Sequence, residues 1–290
     1  MILITGATGQ FGKLTIDFLL QKGVQPSEIL ALVRTEAAGN SFQERGIGIR
    51  VADYNDKDSL LRAFQGVTKL LFVSSSDLAN RLQQHKNVVE AAAEIGVGHV
   101  VYTSFQRKNN SETSPLWQVA ESHLATENWI KASGLNYTIL KNNLYLDFVP
   151  GFIGEKVLET GVIYVPAGTG KLSAVLRSDM AEAAAVLLKS DAPTAKEFDF
   201  SNATAVSYEE IAAELAQLSG KSINYVSPSV EEYQTTLSGY GVPAEVVSIF
   251  AAFADAQAQG ELDTVSNDLS NILGRKPVSI LDFVRQVYAS

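Results

Sequence analysis

Seven residues near the start, Gly6-Ala7-Thr8-Gly9-Gln10-Phe11-Gly12, restrict the fold more than any other stretch of this chain. They follow the apolar run Ile2 to Thr5, which reads as a buried strand, and they open a helical pattern from Phe11 to Lys22. Glycines placed in this way between a strand and a helix make the first turn of a Rossmann unit. Gly6 permits the tight turn. Gly9 lets the backbone approach a pyrophosphate with no Cβ in the way, and Gly12 lets the helix pack closely on the strand. The free N–H groups at the helix start, with the helix dipole, favour phosphate. A dinucleotide is the ligand expected for Gly6, Ala7, Thr8, Gly9, Gln10, Phe11 and Gly12.

The rest of the first half repeats the alternation of strand and helix. Strands are expected at Glu28 to Val33, Ile49 to Ala52, Lys69 to Ser74, His99 to Thr103 and Tyr137 to Leu140, with helices at Asp58 to Phe64, Arg81 to Ile95 and Ser122 to Ala132. Continuously apolar strands alternating with helices mean a parallel sheet covered on both faces. The second half is less regular. It predicts a short strand at Gly161 to Pro166, a helix from Ser178 to Lys189 with Ser178 as its N-cap, and a strand at Phe198 to Phe200. Ser207 and Glu210 form a capping box, Val230 to Leu262 reads as helical, and Ile280 to Tyr288 as a terminal helix. The expected fold class is α/β, a Rossmann-type doubly wound parallel sheet with a smaller C-terminal α/β lobe. Residues 1–150 form the dinucleotide-binding domain, to which later segments return, and 151–290 a substrate-side lobe on the sheet edge.

Composition narrows the partners. The net charge is -9, and so acidic a surface repels nucleic acid and anionic lipid. Cysteine is absent, which removes disulfides, thiolate nucleophiles and Cys-ligated metals, and the three histidines stand singly at positions 85, 99 and 123, so no metal is expected. No run of 18 apolar residues exists. Met1 leads straight into Ile2-Leu3-Ile4 with no basic segment, so no signal peptide is expected and the cytoplasm is the expected compartment. The partner is a small molecule, and the protein acts as a monomer or homodimer.

Arg34 closes the second strand, 22 residues after Gly12, where an NAD-specific site places an acid on the ribose 2′-hydroxyl. A guanidinium there can pair with a 2′-phosphate, which a carboxylate would repel, so the expected cofactor is NADPH. Val73, Ser74 and Ser75 at the end of the fourth strand, and Ser104 and Phe105 at the end of the fifth, are expected where ligands lie in doubly wound sheets, beyond the carboxyl ends of the strands.

The glycine spacing G-x-x-G-x-x-G resembles that of extended and atypical short-chain dehydrogenases/reductases, which usually carry Tyr-x-x-x-Lys on the helix after the fifth strand. Aligned through Ala125-Thr126-Glu127, this chain has Val119 at the Tyr position and His123 at the Lys position. Val119 cannot transfer a proton, which weighs against epimerase, dehydratase and ordinary alcohol dehydrogenase chemistry. Together with Val33-Arg34, Ala52-Asp53-Tyr54, Lys69 to Ser74, Tyr102-Thr103-Ser104, His123 to Glu127, Asn142-Asn143-Leu144-Tyr145, Arg177-Ser178-Asp179 and Leu273-Gly274-Arg275, this pattern resembles the NmrA-like atypical short-chain group. Within it the chain most resembles NADPH:quinone oxidoreductases of type 2 and bacterial triphenylmethane dye reductases.

That resemblance implies cofactor contacts from Gly6 to Phe11, from Arg34, from the end of the fourth strand and from the segment holding Thr138, Leu140 and Asn143. It makes Asp53 a contact of the adenine amino group. It also implies an acceptor pocket between the lobes, with Tyr145 and Phe148 as aromatic walls. Trp117 is a further candidate to stack on a planar acceptor. His123 is the candidate to hold the nicotinamide ribose or to give a proton late. The function implied is hydride transfer from NADPH to quinones or electron-poor dyes, acceptors that need no enzyme acid. The alternative from another class is a regulator that binds NADP(H) and catalyses nothing.

Overall fold

The computed structural model describes residues 1–190 and 196–289. Strands β1 (Ile2–Ile4), β2 (Ile29–Val33), β3 (Gly48–Val51), β4 (Lys69–Phe72), β5 (His99–Phe105) and β6 (Tyr137–Asn142) form one parallel sheet, closed at its far edge by the strand Lys196–Phe200. The order is β3-β2-β1-β4-β5-β6 and then the closing strand, with every pairing parallel. Order reverses beside β1, and this is the switch point at which doubly wound sheets bind ligands.

Alternate residues of each strand serve opposite faces. Ile4, Leu71, Val101 and Leu140 pack with the helices Gln10–Gln21 and Arg177–Lys189, while Leu3, Leu70, Tyr102 and Ile139 pack with the helices Lys57–Ala63, Arg81–Ile95 and Trp117–Ala132. The fully buried Ala181, Ala183, Ala184 and Ala185 give the helix Arg177–Lys189 a smooth face against the sheet and the first helix.

A separate core lies beyond the carboxyl end of β6. Leu146, Phe152, Ile163, Tyr208, Ile211 and Val284 are all buried in it. Two short ladders edge this lobe: Val162–Tyr164 parallel to Asn224–Val226, and Lys171–Leu172 antiparallel to Val206–Ser207. Asn143 ties the lobe to the sheet. Its Nδ2 donates to Gln106 Oε1 (2.7 Å), to Ser173 Oγ (3.2 Å) and to the Leu262 carbonyl (3.2 Å). The chain leaves the lobe at Arg177, builds the helix and the closing strand of the main sheet, and returns by residue 206.

Two local expectations need correction. The helix expected at Ser178 starts at Arg177, and its N-cap residue Leu176 offers no side-chain bond; Asp147 accepts the Arg177 N–H instead (2.9 Å). The stretch from Val230 to Leu262 is two helices, Val230–Gly239 and Ala244–Ala258, because Gly241 turns the chain at φ 78° and Pro243 caps the second helix. The Ser207–Glu210 capping box forms as expected.

Candidate active site

The carboxyl ends of β1 to β4, with the segment after β6, enclose a groove of about 650 Å³. The glycine loop forms its floor. Gly6 sits at φ 57°, and its carbonyl accepts the Gly9 N–H (2.9 Å), which closes the turn. The helix Gln10–Gln21 begins with no side-chain cap, so the N–H groups of its first turn face the groove. A Cβ on Gly12 would stand 2.3 Å from the Gly6 carbonyl oxygen, so only glycine lets the helix lie this close to the strand. Ala7 lies beneath the loop, fully buried in the core.

Arg34 reaches the groove from the end of β2. It is exposed and has no hydrogen bond or ion pair among the described residues, so it is free to meet an anion. Asp53 lies nearby, with Oδ1 holding the Asn55 backbone and side-chain N–H groups (both 2.8 Å). Tyr54, which the sequence did not single out as a ligand contact, also lines the wall. Its hydroxyl donates to the Val73 carbonyl (2.8 Å) and touches Thr5 Oγ1 (2.5 Å), which pins the ends of β1 and β4 together. Burial raises its pKa, against a smaller opposing effect of the Thr5 bond, so the phenol stays protonated.

The other end of the groove is aromatic. Tyr145 and Phe148 line it, 6.0 Å apart between ring centroids. The Arg177 guanidinium lies over both rings, 4.5 Å from the Tyr145 centroid and 5.2 Å from that of Phe148, and also bonds Gln10 Oε1 of the glycine loop. Arg177 therefore fixes the aromatic end relative to the phosphate end.

Between the two ends, Val73, Ser74, Ser75, Arg81 and Gln84 form the wall beyond β4. A buried polar chain lies behind it. The Ser75 N–H donates to His85 Nε2 (3.0 Å), so His85 carries its hydrogen on Nδ1 and donates to Thr126 Oγ1 (2.9 Å). Arg81 Nη1 faces His123 Nε2 at 3.5 Å. Arginine can only donate, so His123 also carries its hydrogen on Nδ1, and it donates to the Tyr102 oxygen (2.7 Å).

Both imidazoles are held neutral. Burial first, and Arg81 second, push His85 down to about 3. His123 falls well below 6.5 through burial, then through Arg81, His85 and Arg107. In the unfolded chain both titrate near 6.5, so below that pH the unfolded state binds more protons. The stability is complete above about pH 6.5 and is lost as pH falls. Urea unfolding is expected to show a loss on the order of 2 kcal/mol per imidazole between pH 7 and pH 5. Equal midpoints at the two pH values would mean that the imidazoles charge freely in the folded protein.

The structure does not bring every sequence candidate to the groove. Ser104 points to the opposite face of β5 and donates to Glu127 Oε1 (2.5 Å). Thr138 lies near the start of β6, away from the carboxyl ends of the strands, and shares a hydrogen bond with His99 Nε2 (2.9 Å). Leu140 is in the core between sheet and helix, and Asn143 joins the lobes as described. Phe105 packs in the lobe core, its ring 6.1 Å from Phe253. Trp117, half-buried, opens the helix Trp117–Ala132, and His123 sits behind Arg81 rather than in the wall.

Comparison with known proteins adds the family. The NmrA-like family profile matches residues 1–283. The chain belongs to the NmrA-like family. Among members, it is 35% identical to quinone oxidoreductase 2 of Escherichia coli over 290 residues, 99% of each chain. The solved structure of Citrobacter sp. triphenylmethane reductase complexed with NADP(H) superposes with TM-score 0.89 at 36% identity, covering 99% of this chain and 100% of the other. The NADPH complex of the Escherichia coli NADPH-dependent quinone oxidoreductase gives TM-score 0.89 at 34% identity, with the same coverage.

A dinucleotide fits the NmrA-like groove of this chain. The glycine loop leaves backbone exposed where a pyrophosphate would lie, Arg34 is free, and Gln84 Oε1 is buried without a partner in the wall, an acceptor for a ribose hydroxyl.

Proposed function

We propose that this chain is an NADPH-dependent reductase that delivers a hydride to quinones or similar electron-poor planar acceptors, triphenylmethane dyes included. The observation that carries this reading is a single groove with a phosphate cradle and a free Arg34 at one end and the Tyr145–Phe148 pair at the other. The relatives act on acceptors of this kind, which favours an enzyme over a non-catalytic NADP(H) sensor. The same proposal assigns residues 1–150, with the returning helix Arg177–Lys189 and strand Lys196–Phe200, to the cofactor domain, the rest of 151–290 together with Tyr145 and Phe148 to the acceptor side, and the protein to the cytoplasm as a monomer or homodimer. Among the described residues no helix is long and apolar enough to cross a membrane.

NADPH bound in this groove supplies a hydride and leaves as NADP⁺. The loop from Gly6 to Gly12 and the first helix hold the pyrophosphate, Arg34 the 2′-phosphate, and Asp53 the adenine. Tyr145 and Phe148 wall the planar acceptor and exclude water, held in place by Arg177. Mixing the protein with NADPH and a quinone tests the proposal directly: the NADPH absorbance must fall faster than in the blank.

Arg34→Ala is expected to weaken NADPH binding roughly tenfold to a hundredfold, the worth of a charge-assisted pair, and to leave NADH nearly unchanged. Equal weakening of both cofactors would make Arg34 structural.

The chemistry proposed needs no enzyme acid. The helix Trp117–Ala132 contains no tyrosine, Val119 packs against the lobe core, and His123 is buried and neutral. The hydride step is therefore expected to vary little between pH 6 and 8, with turnover of quinones and cationic dyes and none of simple alcohols or unactivated ketones. His123→Ala should lower turnover modestly. Loss of all activity in His123→Ala with NADPH affinity intact would make His123 the proton donor.

A further inference from the structure

Arg81 is the one buried arginine of the described residues with no carboxylate at ion-pair distance. It is 7% exposed, lines the groove, and has its Nε buried without a hydrogen-bond partner. Leaving a guanidinium in that state is costly unless a ligand completes it. The other buried arginines are satisfied. Arg107 forms a two-pronged pair with Glu127, and Arg177 has Gln10, Asp147 and two aromatic faces. What holds Arg81 is His123, whose neutral imidazole orients the guanidinium at 3.5 Å without cancelling its charge, as a carboxylate would. His123 is itself fixed by Tyr102 at 2.7 Å. Arg81 begins the 15-residue helix Arg81–Ile95, whose dipole adds positive potential on the same side.

Hydride transfer creates charge in the acceptor. A quinone that takes up a hydride gains one hydrogen nucleus and two electrons. One bond to that hydrogen forms while the nicotinamide C4–H bond breaks, NADPH is oxidised to NADP⁺, and one quinone oxygen is left as an anion until water protonates it. We propose that Arg81 is a catalytic residue that receives this oxyanion, with His123 as its positioning residue, and that Arg81 thereby makes the site selective for acceptors that become anionic. The inference rests on the reductase reading above. A cationic triphenylmethane dye behaves oppositely, because it loses its charge on reduction and gains nothing from a cation beside it.

The test compares wild type, Arg81→Gln and Arg81→Lys, with folding checked by thermal melting. For Arg81→Gln we expect kcat/KM for a neutral quinone to fall at least about tenfold, the scale of one lost charge-stabilising donor, while that for a cationic dye holds or rises. Arg81→Lys, which keeps the charge, should recover much of the quinone rate. A second readout is independent of turnover. Calorimetry in the presence of NADP⁺ should show that wild type prefers the anion of 2-hydroxy-1,4-naphthoquinone over neutral 2-methoxy-1,4-naphthoquinone, and that Arg81→Gln loses the preference. Equal loss on quinone and dye, an unchanged anion preference, or a selective loss of NADPH affinity would each overturn the assignment, the last by giving Arg81 to a cofactor phosphate. Wild type that reduces neither acceptor would overturn the reductase reading instead, and the calorimetric preference would still decide whether Arg81 is an anion site.

Discussion

With valine at position 9 the protein is expected to fold and to bind no NADPH. The backbone at Gly9 is ordinary extended chain, φ -80° and ψ 166°, which valine adopts readily. A Cβ there would meet only the Gly6 carbonyl oxygen, at 3.3 Å, so a shift of a few tenths of an ångström accommodates it. Gly9 is exposed, and the valine methyls would stand over the open N–H groups of the first helical turn, in the space a pyrophosphate needs. The NADPH Kd should rise by about a thousandfold or more, equivalent to about 4 kcal/mol. Calorimetry with a thermal melt separates this from unfolding. The contrast is Gly12→Ala, whose Cβ would collide with backbone on two sides, at 2.3 Å from the Gly6 oxygen and 2.8 Å from Ala7 Cα, and which should lose stability itself. Retained affinity in Gly9→Val would mean that the phosphates lie elsewhere.

Glu127→Ala should be the most destabilising single truncation outside the apolar core. Glu127 accepts from Arg107 through both oxygens (3.0 and 2.9 Å) and from Ser104 (2.5 Å), and both charged side chains are almost wholly buried, at 3% and 6% exposed. Removing the carboxylate leaves a buried guanidinium with one carbonyl and one amide oxygen as partners. Breaking such a pair costs about 3–5 kcal/mol, whereas replacing both members with apolar residues of similar volume is often nearly neutral. Urea unfolding should show the single variant far below wild type and Arg107→Met/Glu127→Leu much closer to it. A single variant within about 1 kcal/mol of wild type would mean that water reaches Arg107.

The parts of the fold that were legible in the sequence are those set by local pattern. The strand–glycine loop–helix unit, the six sheet strands of the first half and the Ser207–Glu210 box depend on neighbours a few residues apart, and each formed within a few residues of its expected bounds. Of the candidate site, the glycine loop, Arg34, Asp53, Val73 to Ser75, Tyr145 and Phe148 were brought to one groove. The sequence could not show which face of a strand-end residue looks at that groove. Ser104 and Phe105 are consecutive, so one turns to the helix Trp117–Ala132 and the other to the lobe core. Nor could it foresee contacts made across long separations. Arg177 meets Gln10 from 167 residues away, and the helix it starts looked as though Ser178 would cap it. Arg81 gave no signal at all, since an arginine at a helix start ordinarily lies in solvent. Only its burial against His123 sets it apart.

The position of the closing strand has a bearing on how the protein is made. β6 ends at Asn142, but the strand that covers its outer edge, Lys196–Phe200, comes from the far side of a whole excursion through the lobe. During synthesis at about 5–20 residues per second, that edge waits for roughly 3–12 s after β6 has been made. Its unpaired N–H and C=O groups are meanwhile a template for any other extended chain. Lys141, which pairs with Asp199 in the finished sheet and carries its charge beside Glu197, sits near the carboxyl end of that edge and works against such pairing until the native strand arrives. A ribosome-bound chain halted before residue 196 is accordingly the species most in need of a chaperone. Its aggregation in a reconstituted translation system, set against a chain extended past residue 200 and the exit tunnel, measures how much protection that one late strand provides.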